Sequence, residues 1–546
     1  MKRKMILCAA VCLAAVAEVS ACTNLIVGKN ASTDGSAIVS YSADSYGLFG
    51  ELYHYPAATY PKGTLLDVRE WDTGKYLGQI EQARQTYNVI GNINEHQVTI
   101  GETTFTGRTE LQDTLGIIDY GSLIYIGLQR SRTAREAIKV MTDLVQQYGY
   151  YSSGESFTIA DPNEIWIMEM IGKGPGIRGA VWVAVRMPDD CISAHANQSR
   201  IHTFDMNDKN NCIYSPDVVS FAREKGYFDG MNKDFSFSAA YNPLDFGGRR
   251  YCEARVWSFF NMFTDRGGEF LPYITGESNT PMPLYLKANR KISVQDIKNA
   301  MRDHYEGTPL DISNDFGAGP YKAPYRLSPL SFEVDGRKYF NERPISTQQA
   351  GFVFVSQMRA HKQNPVGGIL WFTLDDANMS VFTPVYCCAT KVPGCYQANG
   401  ADYSTFSWES AFWIYNWVSN MVYPRYNLMI DDLRAVQGEL EETFNRMQES
   451  VEATAEKLFE KDQEAAKTFL TRYTEMTAQN TFNTWKKLAE FLMVKYNDGV
   501  VKRMKNGTFE RNDIGRTAPV IRPGYPKAFL EEYVKQTGDR YRITED

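Results

Sequence analysis

Cys22-Thr23-Asn24-Leu25-Ile26-Val27-Gly28 and Ala37-Ile38-Val39-Ser40-Tyr41 are two strand-like runs separated by the turn-rich segment Asn30-Ala31-Ser32-Thr33-Asp34-Gly35. Apolar and β-branched residues flanking a short polar turn predict a β-hairpin. If the turn centres between Ser32 and Thr33, antiparallel register pairs residues whose numbers sum to about 65. Ala43 and Asp44 then lie level with Cys22, so a carboxylate is expected beside residue 22.

Upstream of the hairpin, Met1-Lys2-Arg3-Lys4 is basic and Met5 to Ala17 carries no charge. A basic start followed by a short apolar run predicts a secretory signal, because the run is too short to span a bilayer. Val19 and Ala21 occupy the small-residue positions before a cleavage site, so cutting after Ala21 leaves Cys22 as the first residue. Val19-Ser20-Ala21-Cys22 also fits a bacterial lipobox, in which the cysteine becomes a lipid anchor. Both readings export the chain across the inner membrane, to periplasm, cell surface or medium. No other stretch approaches the length of a membrane span.

The 546 residues carry a formal charge of −7, which argues against a polyanion-binding surface and hence against nucleic acid as partner. At 43% apolar and 13% aromatic residues the chain supports a large core rather than disorder. Cys8 and Cys12 fall in the signal. Setting Cys22 aside leaves Cys191, Cys212, Cys252, Cys387, Cys388 and Cys395, which allow up to three disulfides in an oxidising compartment or stand as free buried thiols. Neither a C-x-x-C spacing nor a histidine cluster indicates a metal site, and no cofactor is implied.

Further strand-like runs are Asn88 to Ile93, Gln97 to Thr103, Phe157 to Ala160, Ile165 to Met170, Ala180 to Arg186 and Cys191 to His195. Helices are expected at Thr133 to Tyr148, at Val294 to Tyr305 behind a Ser293 cap, and at Ser215 to Lys225. Beyond Ser407 the pattern turns helical, with Ile430, Leu433, Val436, Leu440, Phe444, Met447 and Val451 at spacings of three and four, the mark of a core-facing stripe. The domain reading is a signal at 1–21, a catalytic domain at 22–406 and a helical region at 407–546. Gly307 to Tyr325 is expected to be a long surface loop.

An N-terminal cysteine carries a thiol and a free α-amine on one residue. With reference pKa values of about 8.5 and about 7.7 to 8.0, the amine can take the thiol proton near neutral pH. An internal cysteine needs a neighbouring histidine for the same task. His195 and the scattered His54, His96, His202, His304 and His361 are read as structural hydrogen-bonders rather than bases.

With Cys22 to Lys29 followed by Ala31-Ser32-Thr33-Asp34-Gly35-Ser36, the chain resembles the cysteine dipeptidases of the N-terminal-nucleophile superfamily, relatives of penicillin V acylase and bile salt hydrolase. The resemblance continues through Gly91-Asn92-Ile93-Asn94-Glu95, Glu102-Thr103-Thr104, His195-Ala196-Asn197, Ala254-Arg255-Val256-Trp257, Gly307-Thr308-Pro309-Leu310-Asp311 and Gln357-Met358-Arg359. It implies an α+β fold, a four-layer αββα sandwich of two antiparallel sheets between helical layers, and hydrolysis of a dipeptide or short peptide. Linear-amide acylase activity and a non-catalytic, lipid-anchored peptide-binding protein are the alternatives.

Residue by residue, the resemblance makes Cys22 the nucleophile and Asp44 the hairpin aspartate. Asn197 matches the asparagine that holds the oxyanion or the nucleophile's amine, and Arg255 the distal arginine. One position departs. Acylase relatives carry an arginine three residues before the aspartate, where this chain has Tyr41. The thiolate-favouring cation is missing from that strand, and the sequence does not show whether Arg255 replaces it.

Overall fold

The computed structural model describes residues 22–544; the expected signal and lipobox lie outside the described residues. In chain order, the strands of the two large sheets are β1 (Asn24–Val27), β2 (Ala37–Asp44), β3 (His54–Tyr55), β4 (Val89–Ile90), β5 (Ile93–Asn94), β6 (Thr99–Thr106), β7 (Gly154–Ala160), β8 (Ile165–Gly172), β9 (Ala180–Arg186), β10 (Cys191–His195), β11 (Cys212–Tyr214), β12 (Tyr285–Lys287), β13 (Ala350–Met358), β14 (Ile369–Leu374) and β15 (Thr383–Tyr386). One sheet runs β12-β10-β1-β2-β13-β14-β15 and the other β11-β9-β8-β7-β6-β5-β4-β3. Their pairings are antiparallel. The fold is α+β with a long C-terminal helical region.

The opening hairpin has the expected register: Ile26 faces Val39, Val27 faces Ile38 and Thr23 bridges Ser42. The segment Asn88 to Ile93 is not one strand. Gly91 at φ 53° starts the two-residue turn between β4 and β5, and a Cβ there would stand 2.6 Å from Leu370 Cδ2. Only glycine meets both constraints.

The sheets meet through short or polar residues. A Cβ on Gly101 in β6 would come within 2.4 Å of Asn24 Oδ1, and Asn24 Nδ2 donates to Glu102 O at 2.7 Å. Period-two alternation assigns each face of β8. Ile165, Ile167 and Ile171 join the large core shared with the first sheet, while Trp166, Met168 and Met170 face a second core built with helices Tyr120–Arg130 and Ala134–Tyr148.

The helix expected to reach Tyr305 ends at Ala300, and Tyr305 itself takes a φ of 66°. After Ser407 come helices Ala411–Val422, Tyr426–Phe459 and Gln463–Tyr496. Leu433, Phe444 and Val451 of the expected stripe are buried, whereas Met447 is 42% exposed, because a strict three-and-four pattern drifts around so long a helix. No helix among the described residues is long and apolar enough to cross a membrane. All seven described cysteines are free, so the disulfide alternative is not realised.

Buried ion pairs fasten helix Tyr426–Phe459 to the rest. Arg302 Nη2 lies 2.5 Å from Glu441 Oε1, and Arg359 Nη2 lies 2.7 Å from Glu452 Oε1. Burial alone would raise the Glu441 carboxyl, but the Arg302 and Lys298 charges hold it at about 2. Glu441→Gln is expected to cost about 3–5 kcal/mol near neutral pH by leaving Arg302 buried without its counter-charge. A carboxyl depressed in the folded state stabilises above its unfolded pKa, about 4.3, and that contribution is lost as pH falls toward 2. Urea unfolding of both proteins should therefore show a gap in midpoint at pH 7 that narrows below about pH 4; a gap independent of pH would contradict the assignment.

Candidate active site

Cys22 immediately precedes the first strand pair, with its side chain 2% exposed. Its Sγ donates to Glu102 Oε1 at 3.5 Å and lies 3.7 Å from the Tyr41 hydroxyl, which itself donates to Glu102 Oε1 at 2.5 Å. Burial, then the Glu102 and Asp44 charges, raise the thiol pKa well above its ordinary value. At rest the sulfur is therefore a thiol, and attack needs a base at the moment of reaction.

Asp44 ends β2 on the same side of the hairpin, close enough for its charge to act on Cys22, as the register requires. Arg343 Nη2 donates to Asp44 Oδ2 at 2.6 Å, and Ser42 Oγ donates to the same oxygen at 3.1 Å. Burial pushes the Asp44 carboxyl up, while the Arg343 and Arg255 guanidiniums pull it back. Arg343 lies in the segment leading into β13, some 300 residues from Asp44. No local pattern marked it; only the pairing of β13 with β2 brings it in.

Arg255 follows a π-helical turn at Gly248–Glu253 that opens helix Ala254–Phe263. Its Nη1 donates to Cys22 O at 2.6 Å and Thr23 Oγ1 at 2.8 Å, and its Nη2 donates to Ala196 O and Asn197 Oδ1, both at 3.0 Å. This fork fixes the backbone of Cys22 relative to Asn197. Burial and the neighbouring Arg343 lower the guanidinium pKa to about 10, leaving it charged at neutral pH. Arg255 grips the carbonyl of Cys22 and its charge also acts on Asp44, whereas the hydroxyl of Tyr41 faces the sulfur.

Asn197 adopts φ 64°, a left-handed conformation that asparagine tolerates, and its Nδ2 donates to Thr104 O at 2.8 Å. One amide N–H is thereby committed to the β6 backbone. His195 lies between Thr103 Oγ1 and Thr158 Oγ1, 2.7 Å from each, and burial with the Arg200 charge lowers its pKa to about 3. It is a neutral bridge between strands.

The structure thus brings Cys22, Asp44, Asn197 and Arg255 into one neighbourhood and adds Tyr41, Glu102 and Arg343. The family model of Peptidase family C69 matches residues 21–53 and 49–439, most of the chain, with Cys22 at the front of the first match. The chain belongs to peptidase family C69. Among its relatives, a probable dipeptidase of Salmonella dublin is 29% identical over 402 residues, covering 70% of this chain and 84% of that protein. A probable dipeptidase of Latilactobacillus sakei is 26% identical over 75% of this chain and 82% of its own length. Dipeptidase A of Lactobacillus helveticus is 24% identical over 78% and 85%. Membership in C69 makes the protein a cysteine-type peptidase acting on peptide bonds, in accord with the resemblance of its opening segment.

Proposed function

We propose that this C69 member is an exported dipeptidase whose nucleophile is Cys22, freed as the N-terminal residue by cleavage after Ala21. The observation that carries the proposal is the setting of Cys22: a buried thiol at the head of β1, with its own carbonyl gripped by Arg255 and a carboxylate, Asp44, at the matching position of β2. Relatives named as dipeptidases along most of the chain supply the substrate class. Two facing antiparallel sheets with helices packed against them support the four-layer αββα sandwich, and the long helices between Ala411 and Tyr496 support a division near Ser407, although the region beyond them also holds two small antiparallel strand pairs, Val501–Lys502 with Val520–Ile521 and Met504–Lys505 with Thr508–Phe509.

In this mechanism the α-amine of Cys22 takes the thiol proton as sulfur attacks the scissile carbonyl. Asp44 orients the amine by a charge-assisted hydrogen bond, with Arg343 holding the carboxylate. The Asn197 side-chain amide donates to the developing oxyanion, and Arg255 keeps asparagine and nucleophile in register. The leaving amine departs with the proton from the α-amine, giving a thioester, which water activated by the same amine hydrolyses.

The purified chain, tested on a panel of dipeptides and N-acyl amino acids, should hydrolyse the dipeptides with the higher kcat/KM. Preference for penicillin- or bile-salt-type linear amides would instead make it an acylase.

A further inference from the structure

Glu102 and Glu155 form a buried acidic pair beside Cys22. Glu102 in β6 lies opposite Phe157 of β7, and Thr104 opposite Glu155, so the two carboxyls are diagonal neighbours on one face of the sheet. Each residue is 1% exposed. Thr104 Oγ1 donates to Glu155 Oε1 at 2.7 Å, while Oε2 of Glu102 and Oε2 of Glu155 are buried with no partner other than the paired carboxyl. No lysine, arginine or histidine among the described residues makes a salt bridge to either. Burial together with the charge of Glu102 raises Glu155 well above the carboxylate range, so Glu155 stays a carboxylic acid beside Glu102. Above about pH 7 the pair therefore carries one negative charge in a water-poor place, an arrangement that is costly unless a cation arrives. From the pair, Tyr120 leads outward: it feels the charges of Glu102 and Cys22, and its hydroxyl donates at 3.0 Å to Asp72, an exposed carboxylate.

We propose that Glu102, backed by Glu155 and Tyr41, binds the free α-ammonium of the substrate's first residue, so that the site admits peptides with an unblocked amine immediately before the scissile bond. The inference rests on the dipeptidase reading and gives it a recognition element. Distances agree: the attacked carbonyl carbon approaches sulfur to about 3–3.5 Å, and the α-nitrogen is roughly 2.5 Å from that carbon. A carboxylate oxygen 3.5 Å from Sγ is within reach of that nitrogen. A substrate with a second residue before the scissile bond would place a neutral amide against Glu102, and an N-acetyl group does the same. Binding also couples to chemistry. The ammonium neutralises the Glu102 charge that holds the thiol pKa up, so arrival of a correct substrate eases deprotonation of Cys22.

The test uses alanyl-alanine as substrate and N-acetyl-alanyl-alanine as competitor, with the unaltered protein, Glu102→Gln and Glu155→Gln, each checked for folding by thermal unfolding. The unaltered protein should bind the free dipeptide at least about 10³-fold better than the acetylated one, since a site built around a charged partner rejects its blocked analogue. Glu102→Gln should raise KM for alanyl-alanine about 10²-fold, leave the competitor's inhibition constant within a few-fold, and so erase the discrimination. Glu155→Gln, keeping a neutral group beside Glu102, should retain most of it. Burial raises the Glu102 pKa to about 7, so KM for the dipeptide should also climb as pH falls through that value, and this climb should vanish in Glu102→Gln.

A fall in kcat at unchanged KM would assign Glu102 to the thiol proton and overturn the ammonium site while leaving the dipeptidase reading intact. Dipeptide turnover undetectable in the unaltered, folded protein would remove both.

Discussion

Cys22→Ser is expected to lower kcat/KM for a dipeptide by at least about 10³-fold without unfolding the protein, the largest effect of any single side-chain change here. Serine is nearly isosteric, and Cys22 makes only weak side-chain contacts, to Tyr41 and Glu102. The core therefore barely registers the change. The chemistry does, because a hydroxyl is far harder to ionise than a thiol, in a setting where burial and two carboxylates already oppose an anion. The measurement is kcat/KM beside a thermal unfolding curve. Near-native turnover by a folded Cys22→Ser protein would remove residue 22 from the mechanism.

A residue retained ahead of Cys22 should cost nearly as much. Acylation of the α-nitrogen by a preceding residue turns a base into an amide that cannot take the thiol proton, and the added chain fills space beside the sulfur. General-base assistance alone is typically worth about 10²- to 10⁴-fold, and that factor is the expected loss. Two matched chains decide it, one beginning at Cys22 and one carrying an uncleavable residue before it, both checked for folding and intact mass. The mass also reads the lipobox alternative directly, since acyl chains on Cys22 add weight and block the thiol. Equal turnover by the two chains would exclude an N-terminal-nucleophile mechanism.

Local pattern was enough for the opening hairpin. Its period-two alternation and single turn pin the register, so Asp44 is placed beside Cys22 from residue numbers alone, and the structure has that register. Most central strands and the C-terminal helices were legible for the same reason: burial on one face writes a period of two or of about three and a half into the chain. Asn88 to Ile93 was misread because composition is silent about the one glycine whose φ and crowding break it.

The partners of the site were decided by tertiary structure. Arg343 meets Asp44 only because β13 lies beside β2, and Arg255 reaches Cys22 O across more than 200 residues of chain. The place of the missing strand cation is likewise a matter of packing. Tyr41 stands at that position, and the cations enter from a loop and a helix that no short-range signal connects to it. Glu102 was visible only as part of an expected strand and of the family-like run Glu102-Thr103-Thr104, and Glu155 fell outside the strand expected from Phe157, which the structure begins at Gly154. Their pairing depends on the register between β6 and β7, and their charge on burial, and neither a register between distant strands nor a local dielectric is encoded within any one segment. The sequence by itself determined the opening hairpin and the carboxylate it sets beside Cys22; the fold decided which charges surround them, because a buried charge is set by its neighbours in space.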